Sequence, residues 1–186
     1  MIRSILFAAI FIAMSNMALA QTTYFTKTGT ISFFSNTGME DIAAVNKKAT
    51  CVLKSETGQL EFAVLMNGFE FKKALMQEHF RENYVESVKY PKATFKGKVE
   101  NMSAINLKKD GSYNATIVGD LTMHGVTKPV KTTGVFTVKN GKISANSVFT
   151  ILLADYKIEI PAAVKDKISP EMKITVDVQL DPLQAK

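Results

Sequence analysis

Apolar and polar positions alternate along most of this chain with a period of two. Between Tyr113 and Met123, the side chains Tyr113, Ala115, Ile117, Gly119, Leu121 and Met123 share one face, and Asn114, Thr116, Val118, Asp120 and Thr122 share the other. Such alternation is the mark of a half-buried strand. Met172, Ile174, Val176, Val178 and Leu180 repeat it against Lys173, Thr175, Asp177 and Gln179, and Ala93, Phe95, Gly97 and Val99 repeat it against Thr94, Lys96, Lys98 and Glu100. Less regular versions run over about 24–34, 43–54, 59–66, 129–139 and 142–153, which predicts roughly eight strands.

Short polar connections separate these stretches. Ser55-Glu56-Thr57-Gly58, Lys109-Asp110-Gly111 and Lys139-Asn140-Gly141-Lys142 carry glycine where the backbone needs positive φ, and Asn-Gly is a strong hairpin signal. Neighbouring strands are therefore expected to pair antiparallel. From Phe71 to Tyr84 the period changes. Leu75, Met76, His79, Phe80, Asn83 and Tyr84 fall on one half of a helical wheel, with Gln77, Glu78, Arg81 and Glu82 on the other. This predicts one amphipathic helix packed beside the sheet or capping it.

An all-β antiparallel sheet of this size with one apolar face can close into a barrel, which removes exposed edges. About eight strands is also the size at which the interior either fills with side chains or holds one small ligand. Parity along each strand assigns the interior lining to Ile31 and Phe33, Phe62 and Val64, Phe95, Tyr113, Ile117, Gly119 and Leu121, Phe136, Phe149 and Ile151, and Ile174 and Val176. Gly97, Gly119 and Gly134 share these faces with Ala93, Ala115 and Ala145. Small residues there serve barrel curvature, ligand space, or both.

Composition changes the picture at the N-terminus. One charge at Arg3, an apolar run from Ile5 to Met14 and an Ala18-Leu19-Ala20 site before Gln21 read as a secretory signal peptide over residues 1–20. The mature chain is then a single domain, 21–186, in an exported protein. Removing Arg3 lowers the formal charge from +6 to +5. Arg81 is the only arginine left and the lysines are dispersed, so nothing resembles a nucleic-acid surface. Weak, transient attraction to an anionic membrane surface is compatible with that charge. Cys51 has no partner for an internal disulfide and reads as a small core residue.

Chemistry-bearing residues are sparse. The histidines are His79 and His124, and no metal-ligand or nucleophile spacing surrounds them or Cys51. The expectation is no catalytic residue and no metal. His79 and Asn83, one helical turn apart, form a pair that either fixes the helix to the barrel or offers polar contacts to a ligand at its mouth. His124-Gly125 reads as a turn between two strands.

Three stretches together resemble the YceI-like family of bacterial periplasmic proteins: Gly119 to Val130, with Met123-His124-Gly125-Val126-Thr127-Lys128-Pro129 at its centre; Glu78-His79-Phe80 through Tyr90-Pro91-Lys92-Ala93-Thr94-Phe95; and Asp155-Tyr156-Lys157-Ile158. The resemblance implies a lipocalin-like, extended eight-stranded barrel with a helix beside it. It also implies a polyisoprenoid, such as a polyprenyl quinone or related lipid, lying along the interior and held by apolar side chains. On that basis the chain is expected to bind, transport or sequester an isoprenoid-type lipid in the periplasm as a monomer or homodimer. One alternative is a non-enzymatic interaction module of the cell envelope, with a solid barrel and Phe34, Val118 and Val135 as docking positions. Another is an enzyme acting on a bound lipid, which would need Tyr113, His79 and Asn83 clustered inside.

Overall fold

The structure is a computed structural model that describes residues 22–183. The signal peptide expected over residues 1–20 lies outside the described residues. The strands are β1 (Thr23–Asn36), β2 (Asp41–Lys54), β3 (Gln59–Leu65), β4 (Glu70–Phe71), β5 (Lys92–Val99), β6 (Gly111–Met123), β7 (Val126–Lys139), β8 (Lys142–Leu152) and β9 (Glu171–Pro182). Their order is β1-β9-β8-β7-β6-β5-β3-β2, and β1 pairs β2 to close the ring of eight, all antiparallel. The two residues of β4 ride on the outer half of β2.

The hairpin turns follow from local chemistry. His124-Gly125 joins β6 to β7 with φ of 51° and 73°, and Asn140-Gly141 joins β7 to β8 with φ of 52° and 74°. Two consecutive positive φ values make a type I′ turn, whose twist matches that of the flanking strands.

Alternation fails inside β1 and β2, where the register shifts between Thr26 and Ile31. In β2 the buried positions are even at Ala44 and Asn46, then odd at Ala49, Cys51 and Leu53. Asn46 sits at the switch, fully buried; its Nδ2 donates to the Leu65 carbonyl at 2.9 Å, and its Oδ1 accepts from the Lys48 amide at 2.8 Å. The side chain thus satisfies backbone groups that the bulge takes out of the ladder. Asn46→Ala should cost about 2 kcal/mol, because it removes both of these hydrogen bonds to backbone groups, measured as a lower midpoint in urea unfolding with unchanged slope.

The interior has two parts. At one end Leu53, Leu60, Val99, Phe136, Val138, Ile143, Val178 and Leu180 pack with Met102 and Ile105 from the β5–β6 connection, and this end is sealed. At the other end Phe33, Phe69, Phe71 and Phe80 cluster, with ring centroids 5.1–5.7 Å apart in the adjoining pairs.

The helix is shorter than its wheel predicts. Regular α1 covers only Ala74–His79 and widens into one π-turn over Phe80–Tyr84. No side chain caps its start, and Arg81 reaches back to the Asn67 carbonyl at 2.6 Å. The turn at Phe80 delivers that ring into the aromatic cluster. Leu75, placed on the apolar half by the wheel, is 61% exposed.

Candidate functional site

Between the sealed end and the aromatic end lies a cavity of about 320 Å³, within the range of small-molecule sites. The sequence-assigned residues Ile31, Phe33, Phe62, Val64, Phe95, Ile117, Leu121, Phe136, Phe149, Ile151, Ile174 and Val176 line it. Two others do not. Tyr113 lies towards the sealed end, where its hydroxyl donates to the Lys109 carbonyl at 2.9 Å. Gly119 faces Gly97 across the β5–β6 ladder, and the Phe95 ring lies over both: its Cζ would stand 2.7 Å from a Cβ at either position. These glycines therefore make room for Phe95, and the cavity gains no space at them.

The rim is built by α1, the β1–β2 connection and the long connection before β9. Met76, His79 and Phe80 come from the first, Glu40 from the second, Val164, Lys167 and Ile168 from the third. Glu40 is ion-paired to Lys73 at 2.7 Å. His79 lines the cavity while remaining exposed, whereas Asn83 is exposed and off the cavity. No hydrogen bond joins His79 to Asn83 among the described residues, so the expected pair is not formed. A turn that widens after His79 carries Asn83 away from its neighbour. Nor do Tyr113, His79 and Asn83 gather into an interior polar cluster. The rim residues on the β8–β9 connection were missed by strand parity because the connection is neither strand nor regular helix; Ile158-Glu159-Ile160 was the one faint signal there.

Polar groups on the wall are few. Thr132 and Ser147 place hydroxyls 3.3 Å apart where β7 and β8 begin to separate. Cys51 is buried on the opposite side, and burial pushes its thiol up to about 12. A neutral thiol is a poor nucleophile. A thiol-specific disulfide reagent at pH 7 should leave native Cys51 unmodified and label it on unfolding. The sign for stability follows: the raised value costs nothing below the unfolded thiol's pKa of about 8.5 and destabilises the fold as pH climbs from there towards about 12.

Residues 13–180 match the YceI-like domain. The chain belongs to that family. Among solved structures, a polyisoprenoid binding domain from Saccharophagus degradans, implicated in plant cell wall breakdown, aligns with a TM-score of 0.75 at 15% identity, covering 88% of this chain and 99% of that one. Burkholderia cenocepacia BcnA aligns with a TM-score of 0.66 at 14% identity, covering 82% of this chain and 96% of its own. A UPF0312 protein from Pseudomonas putida is 29% identical over 98 residues, which are 50% of this chain and 47% of the relative. The chain thus spans about half the length of the curated relatives it matches.

In this YceI-like chain, the stretches that carry the sequence resemblance meet at one place outside the cavity. His124 Nδ1 donates to the Tyr156 carbonyl at 2.9 Å, and Nε2 meets Glu86 Oε2 at 2.7 Å. The Tyr90 ring stands edge-on to the imidazole at 4.7 Å and crowds Gly125 so closely that an added Cβ would sit 2.6 Å from its Cε1. The β6–β7 turn, the segment after α1 and the Leu153–Tyr156 turn are thereby tied together. His124 and Glu86, which sequence reasoning did not pair, lie 38 positions apart. The same stretches also supply His79, Phe80, Phe95, Leu121, Met123 and Ile158 to the cavity lining, so the resemblance covers both a structural clamp and part of the cavity wall.

Proposed function

We propose that the chain binds an isoprenoid-type lipid with its hydrocarbon tail in the barrel, and that it carries or sequesters this lipid in the periplasm without transforming it. The observation that carries the reading is a cavity walled mainly by Ile, Val, Leu, Met and Phe from every strand of the ring, with few polar residues among them: Glu40, His79 and Lys167 at the rim, and Thr94, Thr132, Asn146 and Ser147 on the wall. Burying about 500 Å² of tail at about 25 cal/mol per Å² gives about 12 kcal/mol before ordering costs, enough for micromolar binding or tighter after they are subtracted. Such burial is non-directional, so the cavity's shape and length select the ligand more than head-group chemistry does.

Membership of the YceI-like family and the likeness of its barrel to a polyisoprenoid binding domain support this reading. The open interior counts against the alternative of a solid interaction module, although Phe34 and Val135 are exposed as that alternative required. The full chain, purified from its native host and extracted with organic solvent, should release a prenyl lipid near one per protein, identified by mass spectrometry. Protein that releases none and takes up no added polyprenyl alcohol would sink the proposal. Cell fractionation with N-terminal sequencing should recover the chain from the periplasm beginning at Gln21.

A further inference from the structure

The barrel wall is not continuous. The β7–β8 ladder runs from Lys139↔Lys142 to Gly134↔Ser147 and stops there, whereas β7 stays paired to β6 back to Val126 and β8 stays paired to β9 out to Leu152. Thr127 to Thr133 and Val148 to Leu152 thus face each other across a slit with no ladder between them.

The residues at the fork explain why it opens. Counting in twos from each hairpin turn, the next hydrogen-bonded pairs would be Thr133↔Val148, Lys131↔Thr150 and Pro129↔Leu152. At the first pair, side chains occupy the carbonyls: Ser147 Oγ donates to the Thr133 carbonyl at 2.7 Å and Thr132 Oγ1 to the Val148 carbonyl at 3.4 Å. At the third, Pro129 has no N–H to donate. Both ends of the missing ladder are therefore disfavoured by composition.

A groove of about 280 Å³ occupies the slit, lined by Lys128 to Lys131, Phe149 to Leu152, Asp155 and Tyr156. Val130, Phe149 and Ile151 line this groove and the main cavity alike, so these side chains are a common wall between the two. Lys128 and Asp155 span the groove weakly, 3.9 Å apart and both about half exposed. From this we infer that the β7–β8 slit is a lateral portal through which an apolar tail enters and leaves the lumen sideways. The inference rests on the lipid-binding reading above and adds the route. An added peptide strand is a poorer occupant, since proline and flanking lysines blunt a sheet edge against pairing, whereas the apolar partition leads directly into the cavity.

The test is a reversible tether across the slit. Lys131→Cys and Thr150→Cys place thiols on the exposed sides of the two strands, and a short bis-maleimide with a reducible spacer joins them; buried Cys51 is spared. Uptake of an anthraniloyl ester of geranylgeraniol from phosphatidylcholine vesicles is followed by fluorescence. The tether should slow uptake and release roughly tenfold with final occupancy unchanged, and reducing the spacer should restore both rates. Unchanged rates in tethered protein that still fills would overturn the portal and leave the lipid reading standing, including the case where a strand-forming peptide is captured at the slit. Failure of the untethered protein to take up the probe would overturn both.

Discussion

A Val176→Trp variant should keep its β-sheet circular dichroism and lose about a hundredfold in affinity for geranylgeraniol. Val176 lies between Val178, packed in the sealed end, and Ile174, packed with the aromatic end, and it pairs with Ser147 on one side and Ile31 on the other. An indole there projects into open space, so the overpacking that follows such a change in a filled core is small. It occupies room otherwise taken by about four methylenes, and withholding about 0.8 kcal/mol for each removes about 3 kcal/mol of binding. Titration of the probe and urea unfolding separate the two effects. Full affinity with normal stability would place the tail somewhere other than this lumen.

Gly97→Ala should cost the fold about 3 kcal/mol. The added Cβ would collide with the Val118 carbonyl and stand 2.8 Å from the Gly119 Cα, both parts of the backbone in the facing strand, with the Phe95 ring closing the third side. Neither of the two backbone contacts can swing aside. Gly141→Ala is the matched control: its φ is +74°, but nothing lies within 4 Å of the added methyl. It should lose only about 1 kcal/mol through backbone strain. Gly97 itself has no positive φ, so a loss there no larger than that of Gly141→Ala in urea unfolding would show that the crowding is relieved by small shifts of the facing strand.

These two sites show what sequence could and could not convey. Strands were legible wherever one alternation ran unbroken, as in β6 and β9, because a period of two leaves only one face to bury. In β1 and β2 a bulge reverses parity within the strand, and the buried Asn46 that stabilises it looks like any polar residue. The wall of the cavity was readable from parity except where a second contact competes: Tyr113 is drawn to the Lys109 carbonyl, and Gly119 is covered by Phe95. The helix was read from its wheel, which assumes a constant turn; the π-turn after His79 breaks that assumption and separates His79 from Asn83. The pairing of His124 with Glu86 and the slit beside Pro129 depend on partners distant in the chain, and local patterning holds no trace of them.

The sealed end has a consequence for selectivity. For the tail proposed above, a tube stoppered at its base by Phe136, Leu53 and Met102 would work as a depth gauge. Each isoprene unit that fits above the stopper adds its share of burial; each further unit remains in water and adds nothing. On the proposed function, preference among prenyl chains would be set by where the floor stands, and a shift of that floor would retune the preferred length without altering a single contact at the rim.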